Sequence, residues 1–281
     1  MSTLKIGAHL ISPRKGYTHH GIYIGNNCVI HYAGLSDGIK SAPVEKTSVD
    51  NFCQGAGYSI RTYSDAKHIG SDVVKRAKSR LGEDTYSVFN NNCEHFCIWC
   101  ITGKHDSKQV DKVTVLASTA ATTATARASL ALTSTAGIVA GTSGSGLMAG
   151  LASIGGTVGG GAVAGVALLG AAPALAMSSI LNNTVLADNP SLEQDERDAR
   201  ASGRVATYGG AAAGTVGSIV AISSAGTAGL SAAGITSGLA AIGGTVGGGM
   251  AAGTAIAVAA PAAAAAAVGY GVYKLYKWIS D

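Results

Sequence analysis

Aromatic and charged residues are scarce in this sequence, making up 5% and 13% of its 281 residues. There is no run of lysines and arginines and no basic segment interleaved with aromatic residues. The sequence therefore does not indicate a nucleic-acid-binding protein. The N-terminus has no long apolar stretch followed by small residues, so we expect no secretory signal and a cytoplasmic location. The five cysteines, an odd number, all lie within residues 28–100, which favours free thiols over a disulfide framework.

Charge divides the chain into two parts. Residues 1–113 hold 14 of the 20 lysines and arginines, 10 of the 16 acidic residues and all seven histidines, for a net charge of +4. Residues 128–187 and 205–273 carry no charge, whereas residues 188–204 between them carry eight charged side chains. We predict a first domain over residues 1–113 and a helical region over residues 114–281.

The first domain is predicted to be an α+β domain with an antiparallel sheet. Short runs rich in β-branched or aromatic residues predict strands at residues 8–12, 21–25, 29–32 and 58–63. Asn26-Asn27 predicts a two-residue hairpin turn between the second and third strands. Apolar spacing predicts helices at residues 71–81, with Ser71 as N-cap, and at residues 93–101, stopped by Gly103.

Candidate chemistry centres on Cys93, which follows Asn91-Asn92 at the predicted start of a helix. Helix N-terminal N–H groups are expected to stabilise a thiolate and lower its pKa. A predicted hairpin at residues 26–27 brings His19 and His31 close together on adjacent strands. One histidine can then act as the base for the thiol while the other orients it.

Other interpretations of these residues are open. Cys97 and Cys100 are typical of buried small hydrophobic side chains. They share a helix face with Cys93, so a zinc site is conceivable, but further ligands are missing and we expect no metal and no cofactor. His20 and His95 alternate away from their neighbours and are interpreted as structural.

Three segments resemble the lecithin–retinol acyltransferase family, which includes phospholipase/acyltransferases and bacterial members. They are residues 17–25 (YTHHGIYIG), 29–32 (VIHY) and 92–96 (NCEHF), and the similarity extends over about residues 5–113. The resemblance implies a circularly permuted papain-like fold. It also implies Cys93 as nucleophile, His19 as base, His31 as third member and Tyr17 near the oxyanion. Family members transfer an acyl group from glycerophospholipid through an acyl-cysteine thioester.

The region after residue 113 is predicted to be all-helical and rich in glycine and alanine. Residues 150–173 match residues 238–261 at 17 of 24 positions, which indicates two repeats at about residues 134–187 and 222–273, separated by the charged segment 188–204. Glycines four residues apart, such as Gly155/Gly159 and Gly156/Gly160, are typical of a glycine zipper. The length without charge favours a membrane, and a soluble bundle of small-residue helices is the alternative.

These observations predict a membrane-associated enzyme on the cytoplasmic side. The expected function is a thiol acyltransferase or phospholipase A-type lipid hydrolase with a phospholipid or other acyl-lipid substrate. The glycine-rich helix faces are expected to allow a homo-oligomer. One alternative is a papain-like cysteine peptidase or amidase. Another is a membrane-disrupting or pore-forming protein in which the first domain is a regulator.

Overall fold

The computed structural model describes residues 4–34, 42–88, 91–105, 107–190, 192–227 and 229–280. Ser191 and Ala228, inside the predicted charged segment and second repeat, lie outside the described residues. The chain consists of two compact units, Met1–Val113 and Thr114–Asp281. The first unit contains a sheet with helices and the second contains helices.

Five strands of the described residues form one antiparallel sheet in the first unit, in the order β4-β3-β2-β1-β5. The strands are β1 (His9–Arg14), β2 (Tyr17–Gly25), β3 (Cys28–Tyr32), β4 (Val44–Ser48) and β5 (Ser59–Arg61). The helices of this unit are α1 (Val49–Cys53), α2 (Ser71–Ser79) and α3 (Cys93–Thr102). The predicted α+β class is confirmed. The short helix α1 and the edge strand β4 were not predicted.

The hairpin between β2 and β3 confirms the turn predicted from Asn26-Asn27. Both asparagines have positive φ, 49° and 54°, a conformation that asparagine tolerates better than most residues. The turn sets the register in which Gly21 lies opposite His31. β2 begins at Tyr17, four residues before the predicted start, so His19 lies within the strand.

The two faces of the sheet pack against different partners. Side chains alternate along a strand, so Ile22 and Ile30 share one face and pack with Cys93 and Phe96 of α3. Val29 lies on the opposite face and packs with Phe52 of α1. The sheet therefore has apolar contacts on both sides, and its central strand β2 is buried where the site residues lie.

One predicted cap is wrong. Helix α2 begins at Ser71 as predicted, but its N-cap is Gly70, and no side chain caps its first turn. Gly70 has a φ of 53°, which glycine adopts without strain.

The second unit repeats a three-helix arrangement. Its helices are α4 (Lys108–Ala136), which begins in the first unit, α5 (Gly144–Gly156), α6 (Gly161–Asn183), α7 (Gln194–Ala225), α8 (Ala232–Gly244) and α9 (Gly249–Ser280). Helices α5 and α8 have 13 residues each and begin 88 residues apart, at 144 and 232. Helices α6 and α9 begin at 161 and 249, also 88 residues apart. Each short helix therefore turns into a longer one at the same point of the repeat.

Only some of the glycines predicted to form close helix contacts do so. Helix α5 ends at Gly156, so Gly159 and Gly160 belong to the turn and not to a helix face. A methyl group at Gly155 would overlap the backbone of α6, whereas a methyl group at Gly156 would meet no atom within 4 Å. The same contrast holds for Gly243 and Gly244 in the second repeat. The close contacts of Gly155 and Gly243 thus lie inside each hairpin, whereas Gly210 and Gly214 of α7 meet the backbone of α9. Contact with a second chain stays a prediction.

In the described ranges, three helices are long and apolar enough to cross a membrane. They are Gly161–Asn183, Gln194–Ala225 and Gly249–Ser280. The charged segment that precedes the apolar part of α7 is not fully exposed, because Glu196 and Arg200 are buried. Glu196 accepts hydrogen bonds from Arg200 at 2.7 Å and Tyr273 at 2.9 Å, and its carboxylate pairs with Lys277 at 2.9 Å. These contacts join the start of α7 to the end of α9.

Candidate active site

Cys93 is the first residue of α3, and Asn92 caps the helix. The Asn92 side-chain oxygen accepts the backbone N–H groups of Glu94 and His95, both at 3.0 Å. The His95 ring in turn accepts the Asn92 N–H at 3.3 Å, completing a capping box. The helix ends at Gly103, which has a φ of 80°. The predicted helix and its end are therefore confirmed, and the His95 side chain is used in the cap.

The Cys93 thiol lies against the backbone of β2, near the residues immediately before and after His19, which are Thr18 and His20. Its Sγ donates to the Thr18 carbonyl oxygen at 4.0 Å. The His20 N–H stabilises the thiolate form, but burial dominates and raises the pKa of Cys93 to about 12. The expectation of a lowered pKa is wrong here, because the side chain is only 4% exposed and desolvation outweighs the helix N-terminus.

His19 and His31 form a buried pair, as the hairpin predicted. His19 Nε2 and His31 Nδ1 are 2.8 Å apart, and both rings pack on Phe52. His31 Nε2 lies 3.4 Å from a carboxylate oxygen of Glu45 on β4. That carboxylate favours a proton on His31 Nε2, so that His31 Nδ1 accepts from His19 Nε2. In this arrangement His19 Nδ1 carries a lone pair.

Burial keeps the His19 ring neutral. It lowers the pKa of His19 to about 3, with further contributions from His31 and Arg14. The ring is therefore unprotonated near neutral pH, as a base must be. The Cys93 thiol and the His19 ring do not hydrogen-bond each other; the bonds of the two groups go to Thr18 and His31. Cys93 packs on the face of the sheet that carries Ile22 and Ile30, whereas the His19 ring packs on Phe52, which lies on the opposite face. The resting site therefore holds a neutral thiol and a neutral imidazole, not an ion pair.

Tyr17 begins β2 two residues before His19 and therefore shares its face of the strand. Its side chain is 43% exposed. The role of Tyr17 near an oxyanion stays a prediction, as do the catalytic roles of Cys93, His19 and His31.

A second polar cluster lies on the α3 face of the sheet and was not predicted from the sequence. His20 bonds His9 at 2.8 Å, and His9 bonds the Tyr63 hydroxyl at 2.6 Å. Nearby, the carboxylate of Glu94 accepts the Arg61 guanidinium at 2.9 Å and the Ser107 hydroxyl at 2.7 Å. The only sequence signal for this cluster was that His20 follows His19, so the two side chains lie on opposite faces of the strand. No sequence signal placed Glu45 near His31.

The remaining cysteines of α3 are buried, as predicted. Cys97 and Cys100 have no exposed surface, and burial raises the pKa of both thiols. Within the described part of the chain, His, Cys, Asp and Glu do not gather in any group of three or more that could hold a metal ion.

Alkylation of Cys93 is expected to show no plateau near neutral pH. Only the thiolate reacts with iodoacetamide, and burial holds the pKa of Cys93 at about 12. The rate should therefore rise about tenfold per pH unit between pH 6 and 9, because the thiolate fraction does so. Rates measured by peptide mass spectrometry that level off below pH 8 would contradict a neutral resting thiol.

This site is a buried cysteine at a helix N-terminus beside a histidine pair on a central strand, in an α+β domain. The family model described as lecithin retinol acyltransferase matches residues 2–106. Human lecithin retinol acyltransferase is 30% identical over 138 residues, covering 40% of this chain and 60% of that protein. Human phospholipase A and acyltransferase 4 is 30% identical over 118 residues, covering 36% of this chain and 72% of that protein. Human phospholipase A and acyltransferase 2 is 30% identical over 122 residues, covering 38% of this chain and 75% of that protein.

The chain belongs to the lecithin retinol acyltransferase family. It spans 60% of the length of human lecithin retinol acyltransferase. The matched model ends at residue 106, before the long helical unit begins.

Proposed function

We propose that this chain is a membrane-associated acyltransferase or phospholipase A-type enzyme acting on glycerophospholipid through an acyl-Cys93 thioester. One observation carries the proposal: the Cys93 thiol contacts β2 beside His19, and His19 is hydrogen-bonded to His31. The relatives named as acyltransferases and as phospholipase A support the acyl-transfer chemistry.

In the proposed reaction, Cys93 Sγ attacks the ester carbonyl carbon as its proton passes to His19 Nδ1. The S–C bond forms, the ester C–O bond breaks, and the lysophospholipid oxygen takes the proton back from His19. An acceptor with an O–H or N–H group, or water, then loses its proton to His19 and attacks the thioester. The thioester C–S bond breaks, His19 returns the proton to Cys93 Sγ, and the acylated acceptor or, with water, the free fatty acid leaves. The Cys93 thiol is restored, and His31 holds the His19 ring throughout.

Because Cys93 is buried, the proposed reaction starts from a neutral thiol and not from a thiolate. Because burial raises the pKa of the thiol to about 12, proton transfer to His19 must accompany bond formation and does not precede it. Glu94 follows Cys93 and carries negative charge, which opposes a free thiolate further. The Glu94 and His95 N–H groups are bonded to the Asn92 side chain, so the Cys93 N–H and the positive end of the α3 dipole favour negative charge on the sulfur and on a developing oxyanion.

The second unit supports a bilayer as the source of substrate. Among the described residues, three helices have the length and composition of membrane spans. The charged residues of the second and third of these helices lie before residue 205 and after residue 273, at one end of each helix. We infer that the first unit works on the cytoplasmic side of that membrane. A homo-oligomer through glycine-rich faces remains part of this proposal.

The test is to incubate the full-length protein with phosphatidylcholine vesicles and to measure lysophospholipid and free or transferred fatty acid by mass spectrometry. We expect acyl release and co-sedimentation of the protein with vesicles. Cleavage of a peptide or isopeptide substrate without acyl release would instead favour the cysteine peptidase. Leakage of vesicles without either reaction would favour membrane disruption.

A further inference from the structure

The carboxamide of Gln109 occupies the position of a missing strand neighbour beside Thr18. The pairing of β3 with β2 ends where His31 lies opposite Gly21. Within the part of the chain that the structure describes, no strand pairs with the earlier part of β2 on that side. Gln109 Oε1 accepts the Thr18 N–H at 3.3 Å, and Gln109 Nε2 donates to the Thr18 carbonyl at 3.5 Å. These bonds supply the donor and acceptor that an adjacent strand would supply.

The Thr18 carbonyl is also the acceptor of the Cys93 thiol, at 4.0 Å. The next residue along β2 is His19, the proposed base. One backbone group therefore connects the thiol, the Gln109 carboxamide and the strand position of the base. Movement of the Thr18 backbone would therefore shift both the acceptor of the thiol and the position of the base on β2.

Gln109 is itself held by the cluster on the α3 face. Its backbone N–H donates to a carboxylate oxygen of Glu94 at 3.1 Å, and its Nε2 lies 3.3 Å from His20 Nε2. Glu94 is bonded to Cys93 along the chain and paired with Arg61 at 2.9 Å. The carboxamide is thus fixed relative to the nucleophile by α3 and relative to the base by β2.

We propose that Gln109 is a positioning residue that holds the Thr18 backbone so that Cys93 and His19 keep their reacting arrangement. The inference rests on the proposed function for the reaction that it serves. Gln109 acts through Thr18, so its loss is expected to lower kcat and to leave KM nearly unchanged. The arrangement it maintains also governs thiol reactivity, which can be measured without any acyl substrate.

The first test compares Gln109→Ala with Lys108→Ala in the full-length protein, using a soluble p-nitrophenyl ester. Lys108 is the exposed neighbour on the same turn of α4 and serves as the matched control. A small displacement of reacting groups can cost up to about 100-fold, so we expect Gln109→Ala to lower kcat about tenfold or more. KM should change less than about twofold, and Lys108→Ala should resemble the wild type. An unchanged kcat in Gln109→Ala would overturn the proposal.

Gln109→Glu tests the hydrogen-bond donor directly. The protonated carboxyl group has one donor and one acceptor and can replace the carboxamide, whereas the ionised group has no donor for the Thr18 carbonyl. The charged or titratable groups that face this position are His20 and Glu94, with Arg61 paired to Glu94. The ratio of kcat to the wild-type value should rise as pH falls from 8 to 5 in Gln109→Glu and stay flat in Gln109→Ala. Equal ratios at both pH values would contradict the proposed role.

The second readout is iodoacetamide labelling of Cys93, mapped by peptide mass spectrometry. Release of the Thr18 backbone should uncover the thiol, and we expect labelling in Gln109→Ala about threefold or more faster than in the wild type. A rate at or below the wild-type rate would count against Gln109 as a positioning residue. If the wild type releases no acyl chain but this acceleration is seen, the proposed function fails and the positioning of the thiol stands.

Discussion

Cys93→Ser is expected to reduce acyl release from phospholipid vesicles by at least about 10³-fold. Losses of this size are seen when the nucleophile is removed from a set of catalytic residues that act together. A serine hydroxyl is much less acidic than a thiol. The pKa of His19, lowered to about 3 by burial, makes that ring a weak base for such a proton. Release of lysophospholipid measured by mass spectrometry under identical vesicle conditions checks this expectation.

The matched controls for this substitution are the cysteines outside the proposed mechanism. Cys28 is partly exposed at the start of β3, and Cys28→Ser should retain activity close to that of the wild type. Cys97→Ala removes a buried sulfur and should lower the melting temperature while retaining turnover. Residual activity of Cys93→Ser above one tenth of the wild type would exclude Cys93 as the nucleophile.

His19→Ala is expected to lower kcat by about 10²–10⁴-fold, the range that a general base contributes. His31→Ala should cost less, roughly tenfold, because His31 orients the His19 ring at 2.8 Å and does not take the thiol proton in the proposed reaction. The two variants should be compared in kcat on the same vesicles, with His68→Ala as a histidine control outside the site. A larger loss in His31→Ala than in His19→Ala would reverse the assigned roles.

The parts of the site that were predictable from sequence depend on local signals. Asn26-Asn27 can adopt positive φ, and this turn alone brings His19 and His31 together. Asn92 supplies a side-chain cap for the first turn of α3 and so sets Cys93 at the helix start. Both features need only a few adjacent residues, and the structure keeps both.

The parts that were not predictable depend on tertiary packing. Nothing in the sequence around Cys93 indicates that burial raises its pKa to about 12, since the covering groups come from β2. Edge strand β4 has exposed Glu45 and Lys46 and lacks an apolar pattern, so its carboxylate near His31 was missed. Network members such as Gln109 contact β2 across a sequence separation of 91 residues.

The glycine-rich repeats illustrate the same limit in the second unit. The four-residue spacing correctly indicated small residues at close helix contacts. It could not distinguish Gly155, which meets the backbone of α6, from Gly156, which faces open space. That distinction depends on where α5 ends and the turn to α6 begins.

The most direct test of the central claim is to trap the acyl-enzyme. The full-length protein is incubated briefly with vesicles of a phosphatidylcholine of one defined acyl chain, acid-quenched, and analysed by intact mass and peptide mapping. We predict a mass increase of one acyl group, removable by hydroxylamine, on the peptide that contains Cys93 and absent from Cys93→Ser. An acyl group on Cys97 or Cys100, or acyl release without any adduct on Cys93 under single-turnover conditions, would contradict the account.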